Sequence, residues 1–167
     1  GHKGHNISQQ HKQHLDDVMA CLAKHYTISD LVAIKAFISQ LWQAWPQAEL
    51  IERAAEDHAH SLYGLWLSLN SVANNSGPSL LQLKVPNVEE EGWVCHRTVL
   101  HWVLPDSPFL VDTLRIALND LGIPLHLLAS GVMVLEDKAT PLAVIYAELG
   151  LLTESESQTF KQVVNVH

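Results

Sequence analysis

The stretch His96–Ser130, HRTVLHWVLPDSPFLVDTLRIALNDLGIPLHLLAS, changes its hydrophobic period twice, and the fold reading rests on those changes. From His96 to Leu104 the chain is β-branched and apolar, the pattern of a central strand. Pro105-Asp106-Ser107-Pro108 turns it. Leu110, Leu114, Ala117, Leu118 and Leu121 then recur at three- and four-residue steps. That spacing predicts a helix from about Pro108, with Ser107 or Asp106 as cap and proline near the first helical position. Gly122 is placed as its C-cap, and Pro124 stops any continuation. Leu125 to Leu135 predicts a long strand in which Gly131 marks a bulge or bend.

Outward from this unit, Leu81, Leu83 and Val85 alternate with Gln82 and Lys84, which predicts a strand with one wet face. Asn87 to Gly92 reads as an acidic turn. Downstream, Glu136–Ala139 predicts a hairpin turn, Pro141–Leu152 its partner strand, and Ser155 the cap of a last helix over Glu156–Val166. The order β-β-α-β-β-α, with right-handed crossovers, gives an antiparallel sheet with helices on one side. This is an α+β, ferredoxin-like βαββα(β) module whose last strand is missing.

Before the breaker cluster Asn74-Asn75-Ser76-Gly77-Pro78 the period is helical throughout. Leu15, Val18, Met19 and Leu22 mark one amphipathic helix. Leu31, Ile34, Ile38, Leu41 and Trp42 mark a second, capped at Ser29-Asp30 and ended by Pro46. A short turn follows over Ala48–Ala54, and then a helix from about Glu56 to Ala73 with Leu62, Leu65, Trp66 and Leu69 on one face. Two parts are therefore expected: a helical segment over 3–76 and an α+β module over 77–167.

The chain has 167 residues and 47% hydrophobic content, enough to build a core. Its net charge of -8 repels a phosphate backbone and argues against nucleic acid as partner. No apolar run reaches the ~20 residues of a membrane helix. The polar, His-rich N-terminus does not read as a signal peptide, so a cytoplasmic location with Cys21 and Cys95 as reduced thiols is expected.

The motifs of catalysis and cofactor binding are missing: G-x-G-x-x-G, the P-loop, H-E-x-x-H and G-x-S-x-G do not occur. His58 and His60 diverge on a helix, and His11 and His14 have no third ligand nearby, so no metal is expected. His101 and His126 sit on predicted strands and read as surface or satisfied core residues; facing one pocket, they would suit an anion. Trp42 and Trp66 fall on helix core stripes, and Trp45 and Trp93 lie near element ends. The most informative segment is Leu104–Asp112, where a buried strand meets a helix N-terminus, whose free N–H groups suit a carboxylate or phosphate. Asp106, Ser107, Phe109, Leu110 and His126 are the candidate effector or interface residues. The plainer reading makes the segment a capped turn with Phe109 plugging the core.

Taken together, His96–Ser130 resembles the N-terminal region of the large-class bacterial NAD-specific glutamate dehydrogenases. The segment Pro108–Asp112 (PFLVD), followed by a helix and Gly122–Leu127 (GIPLHL), carries the resemblance. Ser61-Leu62-Tyr63-Gly64 and Glu90-Glu91-Gly92-Trp93 support it. The resemblance implies ACT-like modules of βαββαβ plan, which typically sense amino acids or hold subunits together. For the parent enzyme it implies NAD-dependent conversion of L-glutamate to 2-oxoglutarate, with no catalytic residue, cofactor or metal in this stretch. It also implies as partners the rest of the same polypeptide, sister subunits and a small-molecule effector, an amino acid or carboxylate. A ligand-free oligomerisation scaffold and a freestanding amino-acid-sensing module are the alternatives. The chain departs from the pattern in placing Phe109 where such modules carry a glycine after the D-x-P turn, and Ala129-Ser130-Gly131 where the family has a His-Pro pair.

Overall fold

A computed structural model describes residues 2–27, 29–74, 77–135 and 140–166. Four helices come first: α1 (His2–His25), α2 (Leu31–Ala44), α3 (Gln47–Glu52) and α4 (Ala55–Ala73). The second part runs β1 (Leu80–Lys84), α5 (Val88–Glu91), β2 (Thr98–Pro105), α6 (Leu110–Asp120), β3 (Leu125–Met133), β4 (Leu142–Leu149) and α7 (Glu154–Val166). The expected short turn after Pro46 is thus the helix α3, and the acidic turn is the helix α5. Asn87 caps α5 by accepting from the Glu90 amide. The Asn75-Ser76 part of the breaker and the expected hairpin turn at 136–139 lie outside the described residues.

The sheet is antiparallel throughout, in the order β1-β2-β4-β3. This is the expected ACT-like α+β fold, but helices lie on both faces of the sheet rather than on one, and β1 adds a strand. β2 pairs with β4 on one side and β1 on the other, so no free edge beside β2 remains for a strand following α7.

Helices cover both faces of the sheet. Leu100, Trp102, Ile145, Ala147 and Leu149 pack with Leu114 and Leu118 of α6 and Phe160 and Val164 of α7. Val99, Val103, Val144 and Tyr146 on the opposite face share a core with Ile38 and Leu41 of α2 and Leu62 and Leu65 of α4. Each fully buried side chain of this size contributes ~1.5–3 kcal/mol relative to exposure. All eight residues of β4 are buried because both layers close over it.

Two local expectations change. The last helix is capped by Thr153 rather than Ser155: Thr153 Oγ1 accepts from the Glu156 amide while Glu156 accepts from the Thr153 amide, a reciprocal capping box. The irregularity in β3 falls between Leu125 and Leu127, not at Gly131. It sends Leu125 toward α6 and α7, sends Leu127 to the other core, and leaves His126 exposed between them. Gly131 pairs in register with Val144; a Cβ there would lie 3.2 Å from Met133 Cε, tighter than usual, and at ordinary contact distance, 3.6 Å, from Leu41 Cδ2 of α2.

Candidate functional site

The β2–α6 loop gathers four of the five expected contact residues. Asp106, Ser107, Phe109 and Leu110 line one shallow groove of about 450 Å³ together with Val111, Asp112 and the Ser130–Val132 stretch of β3. His126 is not among its lining residues, and His101 faces a different cleft, so the two histidines do not converge.

The helix cap differs from expectation. α6 begins at Leu110, and neither Asp106 nor Ser107 caps it. The capping position is Phe109, whose φ of 67° is left-handed and which makes no side-chain cap bond. A non-glycine residue there costs ~1–2 kcal/mol. The backbone thus holds the glycine conformation while the residue is phenylalanine. Nor does Phe109 plug the core; it is 75% exposed. Asp106 and Asp112 both border the groove. Two carboxylates there oppose an incoming anion. The same features fit a dinucleotide poorly, because Phe109 stands where a glycine turn would let pyrophosphate approach and Asp112 occupies the first helical turn.

A second site, which sequence reading missed, lies between α4 and the sheet. This cleft holds about 430 Å³. Register places Gln82 opposite His101 and His101 opposite Tyr146, so the three form one row across the sheet face under α4. Ser68 Oγ meets His101 Nδ1 at 2.9 Å. Burial, with the Lys84 charge, pushes His101 down to about 4, so its ring is neutral at pH 7. At the rim Tyr26 and Tyr63 stack at 3.7 Å, and Tyr26 Oη bonds His60 Nδ1 at 2.5 Å. Gln82 and Lys84, expected on a wet face, are partly exposed and line this cleft.

Beside the cleft runs a buried ionic network. Glu148 is fully buried on β4 and receives Arg53 Nη1 at 2.6 Å and Nη2 at 2.7 Å, Arg97 Nη1 at 3.0 Å and Tyr146 Oη at 2.6 Å. Ser61 Oγ donates to Tyr146 Oη at 3.0 Å. Burial would raise the Glu148 carboxyl, but the bonds and charge of Arg53, then Tyr146 and Arg97, hold it below the usual carboxylate range. The Arg53 guanidinium also lies 5.1 Å from the centre of the Trp93 ring. This network joins the α3–α4 junction to the centre of the sheet.

Among the described residues no three His, Cys, Asp or Glu side chains are grouped to hold a metal. His14 Nε2 instead meets the Arg53 carbonyl at 2.8 Å, and His58 Nε2 meets the Leu50 carbonyl at 3.0 Å. Cys21 and Cys95 are free thiols. No helix among the described residues is long and apolar enough to cross a membrane.

Comparison with known proteins agrees with this architecture. The family described as glutamate dehydrogenase, ACT1 domain, matches residues 37–161. The NAD-specific glutamate dehydrogenase of Halomonas elongata is 30% identical over 102 residues, 60% of this chain and 6% of that protein. The NAD-specific glutamate dehydrogenase of Pseudomonas aeruginosa is 27% identical over 116 residues, 70% of this chain and 7% of that protein. The chain therefore spans under a tenth of the length of these relatives. No solved structure matches. A match over most of the chain, on a four-stranded antiparallel sheet between helical layers, establishes that this chain belongs to the glutamate dehydrogenase ACT1 domain family.

Proposed function

We propose that the chain is a non-catalytic regulatory and assembly region of an NAD-specific glutamate dehydrogenase. On this reading the whole enzyme converts L-glutamate and NAD to 2-oxoglutarate, ammonia and NADH, with NAD bound by parts of the polypeptide other than this chain. The region's partners are the rest of that polypeptide, sister subunits and an effector of amino-acid type, all in the cytoplasm. The observation that carries the reading is Phe109. A large apolar side chain, held out in solvent on left-handed backbone, is costly unless something covers it. The groove beside it offers Asp106 and Asp112 to an ammonium group and Leu110 and Val132 to apolar surface. A subunit or effector that touches this loop in one arrangement more than another biases the distant active site by that difference.

The test is Phe109→Ala in a dehydrogenase carrying this region. Effector response or subunit association is expected to weaken while effector-free turnover stays unchanged. Unaltered response and unaltered association would refute the reading. A ligand-free scaffold is the second reading, favoured by β3 being an edge strand with Val132 and, just beyond it, Val134 exposed. It predicts loss of association on Val134→Lys with no amino acid changing thermal stability.

A further inference from the structure

We propose that the cleft between α4 and the β1–β2 edge binds an uncharged planar nitrogen heterocycle of nucleobase type, presented as a nucleoside rather than a nucleotide. The inference is independent of the Phe109 loop.

The floor supplies the recognition edge. Gln82 and His101 are direct cross-strand neighbours on the same face. The Gln82 side chain makes no hydrogen bond among the described residues, so its carboxamide offers one donor group and one acceptor to the cleft. Ser68 engages His101 Nδ1 and leaves Nε2 for a ligand. A neutral imidazole beside a carboxamide presents neighbouring donor and acceptor atoms in the cleft. That is the complement of the amide-like edge of a base, not of a carboxylate.

The space above the floor is kept open by Gly64. A Cβ at that position would touch His101 Cε1 at 3.8 Å, so any longer side chain would lie over the imidazole. The stacked Tyr26–Tyr63 pair and Leu67 bound the same space with flat and apolar surface. Aromatic walls suit a ring with a π-face.

The charges exclude anions. Lys84 is the only lysine or arginine among the lining residues, and it is already held by Glu90 at 2.6 Å and Glu91 at 2.5 Å. A phosphate or carboxylate entering here meets two carboxylates and no free cation. A nucleoside meets no such opposition.

Titration of the 167-residue chain with adenosine, guanosine, uridine and AMP, followed by calorimetry and by the imidazole NMR signals of His101, tests this. At least one nucleoside is expected to bind and shift the His101 signals. AMP should bind about tenfold more weakly at low salt, with the gap narrowing as salt rises. Gly64→Leu should abolish binding; because it replaces a mid-helix glycine by a good helix former, it should not lower stability. Gln82→Leu should weaken binding about tenfold or more. Failure of every nucleoside to shift His101 would overturn the inference. So would unchanged binding in Gly64→Leu, or preferential binding of AMP, glutamate, aspartate or citrate in this cleft.

Discussion

Arg53 closes on Glu148 with both terminal guanidinium nitrogens, at 2.6 and 2.7 Å, across 95 positions of sequence. One partner stands at the end of α3 and the other near the C-terminal end of β4, an inner strand, so this pair fixes how the helices sit on the sheet. Glu148→Gln keeps the shape but leaves Arg53 and Arg97 without their counter-charge. Breaking one side of a buried pair costs ~3–5 kcal/mol. Urea unfolding of Glu148→Gln should show a loss of about 3 kcal/mol, and a loss below about 1 kcal/mol would refute a buried tether. The Arg53→Met/Glu148→Leu double variant should recover part of that loss, because no charge of this pair is left buried alone.

The sheet and its helices were legible because each signal is local. The α6 stripe of Leu114, Ala117 and Leu118 and the alternation of Leu81 and Leu83 with Gln82 and Lys84 follow from neighbours a few positions apart. What each face touches is not local. Gln82 and Lys84 look merely solvated until α4 closes the far side of the cleft they line, and His101 looks like core until Ser68 arrives from 33 positions upstream. The one available signal was polar residues on facing strands, Gln82 and His101, one row apart from the buried Glu148. The Phe109 departure from glycine was visible, but its meaning was not, since only the backbone angle reveals that the turn kept its left-handed form.

That angle makes a second prediction. Phe109→Gly removes left-handed strain of ~1–2 kcal/mol and adds ~0.5–1 kcal/mol of backbone entropy cost. The exposed ring contributes little burial. Thermal unfolding should therefore show the glycine variant slightly more stable, by about 0.5 kcal/mol. A residue kept against stability is one whose side chain has a use. A clear loss of stability would mean that the ring packs on the groove in solution and would remove that argument.

The histidines set the acid limb of stability. Burial first, then Arg53 and His14, lowers His58 from 6.5 to about 4, and burial lowers His101 likewise. The unfolded chain takes up these protons near pH 6.5 and the folded chain does not, so stability falls as pH drops from 6.5 toward 4. His58 alone accounts for a loss of about 3 kcal/mol once pH lies below 4. Glu148 acts lower: its contribution is present above its ordinary 4.5 and is lost as pH falls through its depressed value. Unfolding free energy measured against pH should be flat between about 7 and 8 and slope downward below 6.5. His58→Gln, which keeps a donor for the Leu50 carbonyl, should flatten that slope. An unchanged slope would place the titration elsewhere.

Gly92 ties the acidic helix to the cleft. It follows α5 with φ of 84°, and a Cβ there would stand 2.8 Å from His60 Nδ1, the atom bonded to Tyr26. Gly92→Ala must therefore bear left-handed strain and also push the imidazole off Tyr26. The strain alone is ~1–2 kcal/mol, and the displaced imidazole adds ~1 kcal/mol, the usual worth of a hydrogen bond. In a His60→Ala background the second part has already gone, so the same glycine substitution should cost about 1 kcal/mol less. The double-mutant cycle on chemical unfolding measures this difference. Equal costs in the two backgrounds would mean that Gly92 serves the turn alone, and that His60 is free to move when the cleft fills.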